Sequence, residues 1–499
     1  MTPFVDLLVL ALLIQPPPPA GADPAAAVRE GVSLLAEGDG LADKGEYTEA
    51  VIRYKRAMER LLPSLRHLPF KHEVKRDVTR REDMKALLIK EIEQETTPEE
   101  FRLNEVALKL FGLLPAELNL KETLALVYSE EVAAFYDTKT KTMHLIEEPK
   151  VKEKPKPSLL ERLFGTKGGF DKDENKTVIA HELTHALADQ NYDIDAMQEA
   201  VKKDDDQSLA LTGLIEGEAT LAMMGAGMDD WQGKAIVHLP AKNLEAMFNL
   251  MAPFLPMMGS GKALRSAPPI LVESMTFPYL RGIIFCAKIA NERGWEGVDQ
   301  AYRTPPQSTE QILHPEKYLD RPDPPTAVDL GELAPGAGWK ELGRNVLGEM
   351  QMGVMLRRHG GKNAAAGWDG DRYAVFEDAK NKKFALAWFS TWDDESEAKE
   401  FASAYVKYQT KKVDGLAPPA KPAGDAVWRD MNDRVYVVER RGQDVVVLEG
   451  FTPAATAGLV EQLFKAKKTE MKPRVNPNAP VVKPRKTAKP AAEPIRAST

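Results

Sequence analysis

The sequence predicts an α+β protein: a largely helical body carrying one small antiparallel sheet, followed by a C-terminal α+β module. Three observations lead there. Apolar residues recur at helical spacing up to about Leu118, and again through Thr177–Gln190 and Leu211–Met224. Between them, Val127–Ile146 reads as two strands joined by a polar turn. From about Gly338 the chain changes to β-branched and aromatic runs divided by turn residues, with one helix among them. At 499 residues, 43% hydrophobic and 28% charged, it is long enough for two or three domains and has a globular composition. A formal net charge of -8 argues against nucleic acid as the main partner.

Taken in order, Leu7–Ile14 is a short apolar run followed by Pro16–Pro19 and the small-residue sequence Ala20-Gly-Ala22. Too short to span a bilayer, it reads as a signal peptide over residues 1–22, although Asp6 stands where a basic residue is usual. The protein is therefore expected to be exported. No other uninterrupted apolar stretch reaches spanning length, and the Met-rich segment Met247–Met258 is broken by Pro253 and Pro256. The single cysteine, Cys286, lies in an apolar run and excludes an intramolecular disulfide.

Residues 23–120 form an N-terminal helical region. Within it Gly45, Tyr47, Ala50, Ala57 and Pro63 fall at the offsets of one tetratricopeptide repeat, which Leu41–Pro63 resembles. A lone repeat cannot bury its own face, so a helical hairpin packed on its neighbour is expected, with its outer side a possible protein-partner surface. A Lys/Pro-rich insert, Pro149–Pro157, and a loop to Asp173 follow the hairpin strands. Asp171, Asp173 and Asn175 mimic part of a calcium loop, but Lys176 occupies the position that needs Gly. The C-terminal module spans 338–468. Its strands Asp371–Glu377 and Lys383–Trp392 turn at Lys380–Lys382, a helix runs through Glu397–Tyr408, and a second hairpin turns at Arg441-Gly442. No chemistry attaches to it. Residues 469–499, rich in Lys, Arg, Pro and Ala, read as a disordered basic tail.

The chemistry lies in residues 121–335. His181-Glu182-x-x-His185 sits inside the apolar helix Thr177–Gln190. Four residues apart on a helix, two imidazoles stand one above the other and converge on one metal ion at about 2.0–2.1 Å, the distance zinc prefers. Glu182, beside the ligands, reaches a water on that metal without ligating it and serves as general base. A catalytic zinc takes three protein ligands. The helix Leu211–Met224 carries only two charges, Glu216 and Glu218, and a buried carboxylate there asks for a cation. At 100° per residue the two point about 200° apart, so only one meets the metal. Glu216 shares its face with Thr212, Gly213, Ala219 and Thr220, small residues expected to let this helix approach the metal helix closely; Glu218 sits among larger apolar residues, where burial could equally mark the ligand, and Glu216 is preferred because this face agrees with the resemblance its Glu-Gly-x-Ala stretch carries.

His-Glu-Leu-Thr-His followed by Ile215-Glu216-Gly217-Glu218-Ala219 resembles the gluzincin zinc metallopeptidases, most of all the Glu-Gly-x-Ala stretch of their aminopeptidase branch. The chain also resembles uncharacterised exported proteins of bacteria and archaea that carry the same His-Glu-Leu-Thr-His motif. The resemblance implies a zincin-like fold for 121–335, Zn2+ as cofactor held by His181, His185 and a glutamate, peptide or protein as substrate, and an edge strand ahead of the metal helix that binds substrate backbone. About thirty residues separate His185 from Glu216, more than in that branch, leaving room for an acidic loop through Asp204, Asp205 and Asp206. Such peptidases place a His, Tyr or Arg against the developing oxyanion. The candidates are His314, Tyr279, Tyr318 and Arg281, with His314 ranked first. The competing reading is a metal-binding protein of the same fold that acts as a non-proteolytic binding or maturation factor.

Overall fold

The computed structural model describes residues 23–480 other than 81–85, 87–88, 91–92, 94–95, 132–133, 148–170, 252–261, 358–360, 362, 414–415, 417–425 and 431–432. The expected signal segment, the Lys/Pro-rich insert and the last part of the basic tail lie outside the described residues.

The chain begins with a helical hairpin. Asp23 caps α1 (Pro24–Asp43), whose first residue has its φ preset for a helix. Gly45, at φ 79°, turns the chain into α2 (Tyr47–Arg66). The inner face of α2, with Ala50, Tyr54, Ala57, Leu61 and Leu65, is fully buried, so the repeat-like hairpin is part of the core. Next comes a strand, β1 (Lys75–Arg80), where a helical pattern was expected. It pairs in parallel with β3, more than sixty residues later, a partner that local periodicity cannot disclose. α3 (Pro98–Leu110) opens with a reciprocal Thr97–Glu100 capping box. α4 (Leu120–Glu131) takes up residues Val127–Glu131, which the sequence reading had placed in a strand. The hairpin itself is narrower: β2 (Ala134–Asp137) and β3 (Thr142–Glu147), antiparallel, in a sheet of order β1-β3-β2 that leaves β2 at an edge.

α5 (Lys172–Tyr192) carries the two histidines. Asp171 caps it by accepting the Asp173 and Glu174 N–H groups, which explains the acidic stretch that mimicked a calcium loop. The long gap before Glu216 is filled by α6 (Ile194–Val201) and by the first turns of α7 (Asp205–Gly227). Asp204 to Asp206 are thus the cap and opening turn of α7 and not a loop, a place where negative charge meets the positive end of the helix. α8 (Ala241–Met251), the short α9 (Lys262–Ser266) and α10 (Pro269–Arg303) follow. Among the described residues α10 alone is long and apolar enough to cross a membrane, although Glu273 and Arg281 interrupt its apolar run; 72% of its apolar window is buried inside the protein, and Gly294 at φ 63° breaks it. α7 crosses α10 where Gly217 and Gly213 meet Gly282 backbone to backbone. Gly213 and Gly217 of α7 therefore pack on α10, a second close approach beside the one to the metal helix that the small residues led us to expect.

Short helices α11 (Thr309–Leu313) and α12 (Glu316–Leu319) and strand β4 (Thr326–Asp329) lead into the C-terminal part. There β5 (Trp339–Asn345), α13 (Gly348–Arg357), β6 (Trp368–Asp378), β7 (Phe384–Trp392), α14 (Glu395–Lys412), β8 (Ala426–Arg429), β9 (Val435–Arg441), β10 (Asp444–Phe451) and α15 (Pro453–Leu463) build an antiparallel sheet of order β5-β6-β7-β10-β9-β8. One face, through Tyr373, Val375, Trp388 and Val447, continues the hydrophobic core of the helical body. Phe111 from the body packs edge-on against Tyr373 and Trp388 at 5.3 and 5.0 Å. The other face buries Phe376, Phe389, Leu448 and Leu459 in a smaller core under α15. The overall class is thus α+β. The tail does not begin at 469: β11 (Lys467–Glu470) pairs with β4, and the strap beyond it is tied down by Asn476, whose Nδ2 donates to Tyr192 O at 2.8 Å. Lys and Pro composition suggested a solvated end because these contacts are made by backbone and one buried amide.

Candidate metal centre

His181 and His185 lie one turn apart on α5, and Glu216 reaches them from α7. His181 Nε2 stands 3.0 Å from His185 Nε2 and 3.1 Å from Glu216 Oε2, and His185 Nε2 is 3.4 Å from the same oxygen. Ligands at about 2.1 Å from a tetrahedral ion are separated by about 3.4 Å, so the triangle is close to one face of such a site. Two nitrogen lone pairs and one carboxylate oxygen converge on a common point, a donor set suited to zinc. The residues therefore fit the ion that the sequence motif implies. One departure from the usual arrangement is His181 Nδ1, which is buried without a hydrogen-bond partner among the described residues.

Electrostatics bind the same three groups together. Burial raises the Glu216 carboxyl, but His185 and His181 outweigh it and hold Glu216 well below its ordinary range. Burial opposes charge on His185, yet Glu216 and Glu182 raise it to about 9. Burial lowers His181 despite its bond to Glu216. One proton on His185 thus balances one carboxylate, in a place where a cation would serve all three.

Glu182 is 6% exposed, and burial drives its carboxyl up to about 8, with Glu216 adding to the rise and His185 opposing it. Its carboxylate accepts the backbone N–H of Tyr136, which brings edge strand β2 against the catalytic candidate. The Tyr136 phenol in turn donates to Asp189 at 2.9 Å, and Lys141 reaches the same carboxylate at 2.9 Å, fastening the hairpin to α5 one turn past His185.

Of the four oxyanion candidates the structure brings one into this cluster. Tyr279, on α10, lies beside the Glu216 carboxylate and stacks on His181 with ring centroids 6.0 Å apart. Burial and the carboxylates of Glu216 and Glu182 keep that phenol protonated. His314, ranked first from sequence, belongs elsewhere: its Nε2 pairs with Glu349 at 2.9 Å, and Glu349, Glu316 and Lys317 are the charges acting on it. Tyr318 donates to Thr304 O at 2.7 Å, and Arg281 faces Asn249 and Glu245 of α8. Tyr279 lies three residues from Gly282, the point where α10 touches the helix of Glu216; proximity to a conspicuous glycine was the available signal.

Glu218 points away from the histidines. It accepts from Arg66 and from the Tyr302 phenol in a fully buried network. Arg66 also donates to Asp299 at 2.7 Å and lies over the Trp295 ring. Sequence reading missed Arg66, one of several basic residues near the end of α2. A second acidic group, Glu310, Asp323 and Asp393, holds the Lys317 ammonium at 2.6 to 2.8 Å from each. It is a charge cluster already supplied with its cation.

A family model described as a domain of unknown function (DUF8575) matches residues 337–460, which coincide with the six-stranded sheet and its helices. No curated protein and no solved structure matches the chain.

Proposed function

We propose that this protein is an exported zinc metallopeptidase with a zincin-like centre of the gluzincin type, in which His181, His185 and Glu216 hold the metal and Glu182 is the general base. The observation that carries this reading is the convergence of three ligand atoms within 3.4 Å, with a buried glutamate next to them on the same helix. Zinc, when bound there, lowers the pKa of a coordinated water to about 7 and polarises a carbonyl. Glu182 takes the proton of the attacking water and passes it to the leaving amine. A dication brings the Glu182 carboxyl down from about 8 into the range where it accepts that proton. Tyr279 supplies an un-ionised O–H donor beside the centre, suited to hold the negative charge that grows on the carbonyl oxygen. The edge strand β2, whose Tyr136 backbone lies against Glu182, is placed to offer backbone groups to an extended peptide.

The test is metal content together with hydrolysis of a peptide library by wild type and Glu182→Gln. About one zinc per chain is expected in both, with activity reduced roughly 10²–10⁴-fold in the variant. Equal hydrolysis by the two proteins removes Glu182 from the mechanism. Zinc binding without any hydrolysis by wild type favours instead a non-proteolytic binding or maturation factor.

A further inference from the structure

We propose that Arg66 is a positioning residue of the His181–His185–Glu216 centre: it engages Glu218 on the far side of α7 so that Glu216 alone is presented to the histidines. This rests on the reading of that centre as a metal site. Glu216 and Glu218 are two residues apart on one buried helix, and both are carboxylates that a nearby dication would attract. What separates their roles is a counter-charge delivered from a different part of the chain, the last residue of the N-terminal helical hairpin.

The Arg66 side chain has no exposed surface. Its Nε donates to Glu218 and its Nη2 donates to Asp299 of α10 at 2.7 Å. The second oxygen of Glu218 accepts from Tyr302, also on α10. Tyr192, the last residue of α5, donates to Asp299 at 2.7 Å and stacks flat on Tyr302 at 4.4 Å. One guanidinium therefore links α2, α7 and α10, and through Asp299 the end of the metal helix. Rotation of α7 about its axis is the freedom that aims Glu216. A carboxylate about 6 Å from the axis moves about 1 Å for each 10° of rotation, more than a metal site tolerates. Pairing Glu218 with Arg66 removes the pull by which a dication would turn α7 to bring that second carboxylate toward it. A planar fork can hold two carboxylates at once, whereas an ammonium on a flexible stem holds them as a point charge.

The test compares full-length wild type, R66Q and R66Q/E218Q for zinc affinity by chelator competition, for the visible absorption of the Co(II)-loaded protein, and for unfolding of the metal-stripped protein. In R66Q the Glu218 carboxylate keeps its bond from Tyr302 but loses its counter-charge, and a dication at the centre then draws it, and α7 with it, away from the wild-type arrangement. Zinc affinity is expected to fall about 10–100-fold, with an altered Co(II) spectrum. The second substitution removes that carboxylate, so R66Q/E218Q should recover most of the affinity and the original spectrum. An Arg66 that serves only the stability of the core destabilises the metal-stripped R66Q protein, with relief in R66Q/E218Q as the unpaired charge is removed, and leaves zinc affinity and the Co(II) spectrum as in wild type throughout. Wild-type affinity in R66Q, or a double variant as weak as R66Q, overturns the proposal. Should R66Q not fold, R66K takes its place, since lysine keeps the charge without the fork; the same loss, and the same recovery with E218Q, are expected. Wild-type protein that takes up no zinc overturns the reading of the centre and this proposal with it, whereas wild-type binding with an unaltered R66 variant overturns the proposal alone.

Discussion

Gly217→Ala tests whether the crossing of α7 and α10 holds the centre in shape. A Cβ on Gly217 would stand 2.2 Å from the carbonyl carbon and oxygen of Gly282 and 2.8 Å from its Cα. Carbon atoms rest about 3.5 Å apart, so the helices must separate by about 1.3 Å, and no side-chain rotation can relieve a clash with backbone. Overpacking of this kind costs about 1–3 kcal/mol, and the better helix propensity of alanine returns about 1. A net loss of up to about 2 kcal/mol is expected. Because Glu216 is the adjacent residue, a displacement of that size also moves a ligand beyond the roughly 0.5 Å that a preorganised site allows, and zinc affinity should fall. Gly353→Ala is the reference: no atom lies within 4 Å of its Cβ, and a gain of about 0.4–1 kcal/mol is expected. Urea unfolding midpoints at unchanged slope, with chelator competition for zinc, measure both effects. Gly217→Ala as stable as Gly353→Ala, with wild-type zinc affinity, would refute the reasoning.

Two further variants separate the oxyanion candidates. Tyr279→Phe should lower kcat about 10²–10³-fold while zinc content stays near one per chain; an unchanged kcat removes the phenol from the reaction. His314→Gln should leave hydrolysis close to wild type, and a large loss of kcat there would restore His314 to the site. The same variant has a pH signature. The bond to Glu349 raises His314 above its ordinary 6.5, so its contribution to stability is complete below that pH and is lost as pH rises through the raised value. Unfolding midpoints measured across that interval should show this decline in wild type and not in His314→Gln.

The helices that carry the site were legible because their signals are local. His181, Glu182 and His185 need only the 3.6-residue period to share a neighbourhood, whereas the angle between Glu216 and Glu218 says only that one of them meets the metal, and the preference for Glu216 leaned on its small neighbours and on the Glu-Gly-x-Ala resemblance. Their second partner was missed, since a glycine announces a close approach without naming what approaches: Gly213 and Gly217 meet Gly282 of α10. The C-terminal hairpins were visible from alternation and turns. β1 was hidden because its pairing with β3 spans a long separation, and the strap around Asn476 because its bonds run to the backbone ends of α5 and α10.

By itself the sequence determined a His-Glu-x-x-His motif on a buried helix, a second helix with two carboxylates, an α+β class and a change to paired strands beyond about Gly338. Each of these depends on residues within a few turns of one another. Only the tertiary structure decided which carboxylate faces the histidines, that Tyr279 and not His314 stands beside them, and that Arg66 from the first hairpin neutralises Glu218. Those are questions of which side chains meet across helices far apart in the chain. Burial and charge pairing settle them, and both exist only once the core has formed.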